Sequence, residues 1–362
     1  MTQPVAPRKS DAWIVGTKKG AWALRRPAGR AKAWLLDEPW FFGHQVTHVV
    51  QDPRGAGTLL AAVRTGHLGP TVYRSTDAGK TWMEAAKPPA FRAKEEYASS
   101  ALMADDARRR GLVLDHVFFL APGHAKQPGV WYAGTSPIGL FRSEDDGLTW
   151  AGVPGFNDCP DLAKWCYNFA PGTPDGPKCH SVQVDPSDPK RMIVGLSGGG
   201  IFLSEDGDGT WRPVNGGVAM DFAPPKEGGG EYAFGHDPHD AVIHPANPRR
   251  WYHQNHCGIY RLDWKDGAKE QRWERIGKAM PKEVGDIGFP MTCHPKDDQV
   301  CWVVPMDGGT VWPRTSVGGK PAVYRTRDAG ATWQRLDRGL PERAWYTVFR
   351  QAMAHDGRKP LG

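Results

Sequence analysis

Three histidines recur at one position of a repeated strand, and three imidazoles brought to one point make a transition-metal site. Counting back five residues from the residue that turns each strand's corner reaches His180 from Asp185, His239 from His244 and His116 from Ala121. The same count gives Thr47, Phe289 and Arg350 in the other units, with His48 one residue out of register. Neutral imidazole suits Zn, Fe, Mn, Ni and Cu, and three such ligands leave positions open for water or a substrate oxygen. His116, His180 and His239 are therefore the expected metal ligands. A further ligand or a catalytic base is sought among Asp286, Glu231, His236 and His256. Two other readings stand beside this one: strand-end histidines that hold neighbouring backbones by hydrogen bonds, and a catalytic histidine that needs no metal.

The elements that position these side chains come from a repeat. Ser75-Thr-Asp77-Ala-Gly79-Lys-Thr81-Trp82 returns as Ser143-Glu-Asp145-Asp-Gly147-Leu-Thr149-Trp150 and as Thr326-Arg-Asp328-Ala-Gly330-Ala-Thr332-Trp333. A copy at 204–211 keeps Ser204, Asp206, Thr210 and Trp211 but displaces the glycine, and a copy near 262–273 has decayed further. In such a turn a carboxylate accepts backbone N–H groups, glycine supplies a positive φ and tryptophan anchors the loop on the sheet. Asp77, Asp145, Asp206 and Asp328 are thus read as structural, because their spacing lacks the successive oxygen ligands of a calcium loop.

Short apolar runs bounded by Pro-marked corners precede each turn, giving units of four strands over 47–82, 116–150, 180–211, 239–273 and 289–333. Runs at Trp13–Thr17, Ala21–Leu24 and Ala33–Leu36 read as second, third and outer strands, and Tyr346–Met353 reads as the inner strand that completes their blade. Four-stranded units repeated around an axis form an all-β propeller, here a closed ring of six blades in a single domain over 1–362. Inner strands line the channel, so the three histidines fall at its mouth, opposite the Asp-bearing turns. Loops between second and third strands bring Arg64, His67, Asn255 and Asp307 to that mouth, and with Arg350 these are the expected substrate contacts. Long connections at 83–115, 151–179 and 212–238 reach the same end and are expected to build a lid or pocket, with Trp165, Tyr167, Tyr232 and Phe234 as lining or anchoring aromatics.

Composition sets bounds on what the protein does. With 362 residues, 40% hydrophobic and including 16 Trp, the chain has ample material for a packed core. The formal charge of +6 is dispersed among alternating signs, so no nucleic-acid partner is expected. No stretch reaches the length of a membrane span and no apolar region follows the N-terminal charges, so a cytoplasmic location is expected, without a membrane partner. The six Cys are too sparse for a disulfide framework and are read as reduced thiols. No nucleotide cofactor is expected.

Together with Cys179–Pro186 and Gln254–Arg261, the Asp-bearing turns resemble the bacterial BNR/Asp-box repeat proteins, the sialidase-like and sortilin-like propellers often labelled glycosyl hydrolases, over nearly the whole chain. The resemblance implies the propeller, and seven blades if the chain is a fragment, since members commonly continue for one blade more. It does not carry sialidase chemistry: the Arg-Ile-Pro-like motif is absent, and most of Arg64, Arg142, Arg261, Arg325 and Arg350 lie on third strands beside the Asp boxes. The expected function is a metal-dependent hydrolase, lyase or oxygenase acting on a small molecule or glycoside. A metal-free glycoside hydrolase using carboxylates among Glu95, Glu96, Asp158, Asp161 and Glu231 is one alternative. A non-catalytic propeller that binds protein or glycan on the same face is the other.

Overall fold

Each repeat turn is held by its own side chains. Ser75 Oγ accepts the Gly79 amide at 2.9 Å and donates to Asp77 at 2.8 Å, while Asp77 accepts the amide and hydroxyl of Thr81 at 2.9 and 2.6 Å. The same bonds form at Asp145, Asp206 and Asp328. Two residues per turn take positive φ, Ala78 and Gly79 in the first copy and Gly207 and Asp208 in the displaced one. The glycine there has moved to the first left-handed position and Asp208, a residue type that tolerates that region, takes the second.

The computed structural model describes residues 11–26, 34–55, 57–92, 113–166, 178–308 and 314–355. Its strands form six antiparallel sheets in chain order, disposed as the blades of a propeller. The first has three strands, β1 (Asp11–Thr17), β2 (Gly20–Arg26) and β3 (Leu35–Leu36). The second and third have four each: β4 (Gln45–Gln51), β5 (Leu59–Thr65), β6 (Gly69–Ser75) and β7 (Met83–Glu84), then β8 (His116–Pro122), β9 (Trp131–Ser136), β10 (Gly139–Ser143) and β11 (Ala151–Gly152). The fourth comprises β12 (Cys179–Val184), β13 (Met192–Leu196), β14 (Gly200–Ser204) and β15 (Arg212–Pro213). The fifth is β16 (Pro238–Ile243), β17 (Arg250–Asn255), β18 (Gly258–Asp263) and β19 (Glu274–Arg275), and the sixth β20 (Gly288–Cys293), β21 (Cys301–Pro305), β22 (Val323–Thr326) and β23 (Gln334–Leu336).

The core lies between the sheets. Leu60, Val72, Leu120, Trp131 and Phe141 fill the space between the second and third, and Ile193, Leu203, Trp251 and Tyr260 that between the fourth and fifth. Because sheet faces are covered on both sides, middle strands such as β13 (Met-Ile-Val-Gly-Leu) are buried throughout and show no polar alternation. The turns take part in this packing: a Cβ on Gly147 would come within 2.7 Å of Leu60 in the preceding blade, and one on Gly330 within 2.5 Å of Ile276.

The five complete inner strands share one irregularity. Register shifts between Val46 and His48, Val117 and Phe119, Cys179 and Ser181, Pro238 and Asp240, and Gly288 and Met291. A β-bulge therefore places one extra residue at the same level in each: Thr47, Phe118, His180, His239 and the Phe289–Pro290 pair. In four blades this matches the count from the sequence. In the third it does not, because the corner there is Gly123, whose amide bonds Val130 O at 2.8 Å as Asp185 N bonds Arg191 O. Pro122 and Gly123 lengthen the strand, so the ring residue of that blade is Phe118 and His116 stands two positions further out. His124 is buried and accepts the Lys126 amide at 3.0 Å as a corner former.

The expected inner strand Tyr346–Met353 does not form, and the first sheet keeps three strands. The loop of the sixth blade takes up its backbone instead: Ser316 N bonds Tyr346 O at 3.1 Å, Tyr346 N bonds Ser316 Oγ at 3.2 Å and Ala344 N bonds Gly319 O at 2.8 Å. The segment still spans the seam between the sixth blade and the second. Arg350 lies over the Phe289 ring at 5.3 Å, and Gln351 donates to Thr47 O at 2.7 Å.

Candidate functional site

Where the β16–β17 hairpin reaches the channel mouth, its ladder extends one step past Pro238 and Asn255, with His256 N bonded to Asp237 O at 2.9 Å. This brings Asp237, just before β16, and His256, just after β17, beside the bulged His239. Asp237 Oδ2 lies 3.4 Å from His239 Nε2 and 3.7 Å from His256 Nδ1. The three ligand atoms lie within 4.8 Å of one another, and among the described residues this is the group with metal-ligand spacing.

Hydrogen bonds around the group orient its two rings. His239 Nδ1 lies 2.5 Å from Gly288 O, which only accepts, so Nδ1 carries a proton and Nε2 is turned toward Asp237. Phe289 packs on the same ring at 4.5 Å. His256 is held differently. Its Nε2 lies 3.4 Å from the Nη2 donor of Arg314, and its Nδ1 faces Asp237. Arg314 is fixed by Nη1 bonds to Asp307 O and Gly308 O, both at 3.2 Å. Burial by itself would raise the Asp237 carboxyl, but His239, Arg350 and His256 more than reverse this and hold it well below the usual carboxylate range.

Of the three histidines expected to share one metal, only His239 belongs to this group. His116 Nδ1 instead meets Asp115 Oδ2 at 2.6 Å, and Asp115 in turn holds Arg64 at 2.9 Å on the rim. His180 is buried in the ring, its Nδ1 3.0 Å from Ser181 Oγ, which donates to Asp240 at 3.4 Å. Its Nε2 is buried and has no hydrogen-bond partner among the described residues. Burial, then Arg350, pushes the His180 imidazole well below its ordinary value, while Asp237 opposes the shift.

The other expected residues fall as follows. His256 is a member of the group. Asp286 is not available as ligand or base, since both its oxygens bind the Arg275 guanidinium, at 2.8 and 3.0 Å. Glu231 is likewise engaged, by the Gly217 amide at 2.8 Å and by Arg272. His236 Nε2 lies 2.9 Å from Tyr232 O and pins the 212–238 connection. His67 is exposed at the tip of the β5–β6 turn. Asn255 is buried, its Oδ1 capping the Cys257 amide at 2.9 Å, while Asp307 receives Arg314 through its backbone oxygen. Trp165 stacks on Phe202 at 4.3 Å and Tyr232 bonds Pro224 O, so both anchor their loops. Asp158 pairs with Arg92 and Asp161 with Lys164, whereas Glu95, Glu96 and Tyr167 lie outside the described residues. Asp237 and Arg314 escaped sequence reasoning. The signal for Asp237 was its place opposite His256 in the hairpin, but Arg314 arrives from another blade and has none.

No family model and no curated protein matches the chain. Solved structures share the fold. A GH74 xyloglucanase from Xanthomonas campestris aligns with a TM-score of 0.58 at 20% identity, over 91% of this chain and 44% of its own. An ancestral GH74 enzyme aligns with a TM-score of 0.55 at 17% identity, over 92% and 33%. YCF48 from Cyanidioschyzon merolae gives 0.53 at 14%, over 94% and 89%. The chain thus spans less than half the length of these two GH74 enzymes but most of YCF48, and at such identities the likeness is one of propeller architecture.

Proposed function

We propose that this protein is a metal-dependent enzyme acting on a small molecule at the mouth of its propeller channel, with Asp237, His239 and His256 as the protein ligands. The observation that carries the reading is the convergence of three ligand atoms within 4.8 Å of one another, with His239 aimed at Asp237 by the backbone carbonyl that holds its far nitrogen. A carboxylate with two imidazoles at this spacing suits Zn, Fe, Mn, Ni or Cu. A bound metal supplies Lewis acidity and a nucleophilic or activated oxygen for hydrolysis, elimination or oxygenation. The protein contributes a neutral His180 in the same ring, whose buried Nε2 lone pair can accept a hydrogen bond but resists protonation. Burial of the ring residues favours a small substrate over a polymer: His180 and His239 are each 1% exposed. Two open cavities, of about 520 and 440 Å³, are lined by outer-strand and corner residues away from the mouth.

Elemental analysis of the purified, tag-free chain tests the reading. Near-stoichiometric metal is expected, lost in Asp237→Asn and His239→Gln and retained in His116→Gln, with all variants folded by thermal unfolding. Wild-type protein that takes up no metal after reconstitution overturns it and leaves non-catalytic ligand binding or metal-free hydrolysis.

A further inference from the structure

We propose that Cys293 and Cys301 are joined in a disulfide when the chain folds in the presence of a small-molecule disulfide, and that the finished fold then seals the bond against exchange. The inference is independent of the metal reading and concerns the end of the sixth blade away from the mouth. Cys293 closes β20, Cys301 opens β21, and the two are direct cross-strand partners. The next pair along the strands settles their geometry. His294 N bonds Val300 O at 2.9 Å in the same register, so the ladder's hydrogen bonds fall on that pair and skip the cysteines. Opposed residues at a skipped position have Cα atoms about 4.5 Å apart and side chains on one face at their closest, within the range of about 4.4–6.8 Å that a disulfide spans. Among the described residues the remaining strand cysteine, Cys179, is opposite Leu196.

Burial decides when the bond can form. Both cysteines are free thiols in the structure, Cys301 fully buried and Cys293 nearly so, packed with Tyr252, Met291, Val303 and Tyr324 between the fifth and sixth blades. Burial also pushes the Cys293 thiol up to about 12 and the Cys301 thiol well above its ordinary value. Exchange needs a thiolate with a clear approach to a disulfide sulfur, and the folded state offers neither. The half-folded chain offers both, because only residues 294–300 separate the pair and the hairpin alone brings them together. One cysteine displaces a thiol from the small disulfide, and the second displaces the other from the mixed disulfide. Each R–S–S–R thus leaves as two R–SH, which carry off the two cysteine protons. Docking of the fifth blade on the pair then closes the route in both directions.

The test expresses the full chain in a host with a reducing cytoplasm and in one with an oxidising cytoplasm, alkylates each protein in denaturant and maps the tryptic peptides. Cleavage after Lys282, Lys296 and Arg314 puts the two cysteines on separate peptides, 283–296 and 297–314. From the oxidising host these are expected as one linked species about 2 Da lighter than their sum, with neither cysteine alkylated. Cys293→Ala from the same host should lose the linked species and leave Cys301 alkylated. Oxidised wild type is expected to keep the bond in dithiothreitol and to lose it once urea is added. Reduced wild type should gain it from glutathione disulfide only through a cycle of urea unfolding and refolding. Folded protein from the oxidising host with both cysteines alkylated, or with either joined to another cysteine, overturns the proposal. A bond made or broken in the folded protein as fast as in urea overturns the sealing.

Discussion

Asp237 and Asp286 are both carboxylates near the mouth of the fifth blade, and their neighbours give them opposite roles. Asp286 is closed off by two hydrogen bonds from Arg275, which also holds Asp221 at 2.9 Å, so it works as a strut between loop and outer strand. Asp237 faces two imidazoles and has one oxygen, Oδ1, buried without a partner. Asp286→Asn is therefore expected to leave bound metal unchanged and to cost about 1 kcal/mol of stability through the weakened pair. Metal analysis and urea unfolding of one preparation check both parts, and metal lost from a fully stable Asp286→Asn protein would reverse the assignment. Residue type alone could not separate these two acids in the sequence. What separates them is cross-strand register in one case and an arginine eleven positions upstream in the other.

At the scale of the element, the Asp-bearing turn does more than end a hairpin. Its second left-handed residue is where the neighbouring blade seats a side chain, Leu60 against Gly147 and Ile276 against Gly330. Gly147→Ala meets a φ of +88° that disfavours any Cβ and a contact of 2.7 Å with a fully buried leucine. A loss of about 2 kcal/mol is expected, read as a shift in the urea midpoint, and a change below about 0.5 kcal/mol would show that the turn can relax away from its neighbour. These turns, the corners and most inner strands were legible because each is written in consecutive residues. Two inner-strand expectations failed, one through a corner displaced within its own hairpin and one through a remote contact. Pro122 and Gly123 extend β8 beyond the corner expected at Ala121, and Ser316 with Gly319 draws Tyr346 away from β1. The candidate site was half legible: the ring count found His239 and the hairpin supplied His256, but their grouping with Asp237 depends on a ladder step that spacing does not reveal.

Across the whole molecule, several histidines are set among the blades as neutral rings. His48 accepts the Leu120 amide at 3.0 Å across the second and third blades and is lowered by burial from 6.5 to about 4. His180 and His253 are depressed further by the same cause. As pH falls from 6.5 toward 4 the unfolded chain takes up protons that the folded His48 refuses, so stability present above that window drains away within it. Urea midpoints should fall from pH 7 to pH 5, less steeply in His48→Gln, and equal slopes in the two proteins would exclude His48 as a contributor. The bulges carry a last consequence. A bulged residue stands outside the hydrogen-bonded ladder, so its side chain can be exchanged without disturbing the register of either strand. Thr47, Phe118, His180, His239 and Phe289 show how unlike the occupants of that level are within one chain. The ring is in effect a set of sockets on a fixed frame, whose occupants differ from blade to blade while the ladders around them keep the same pattern.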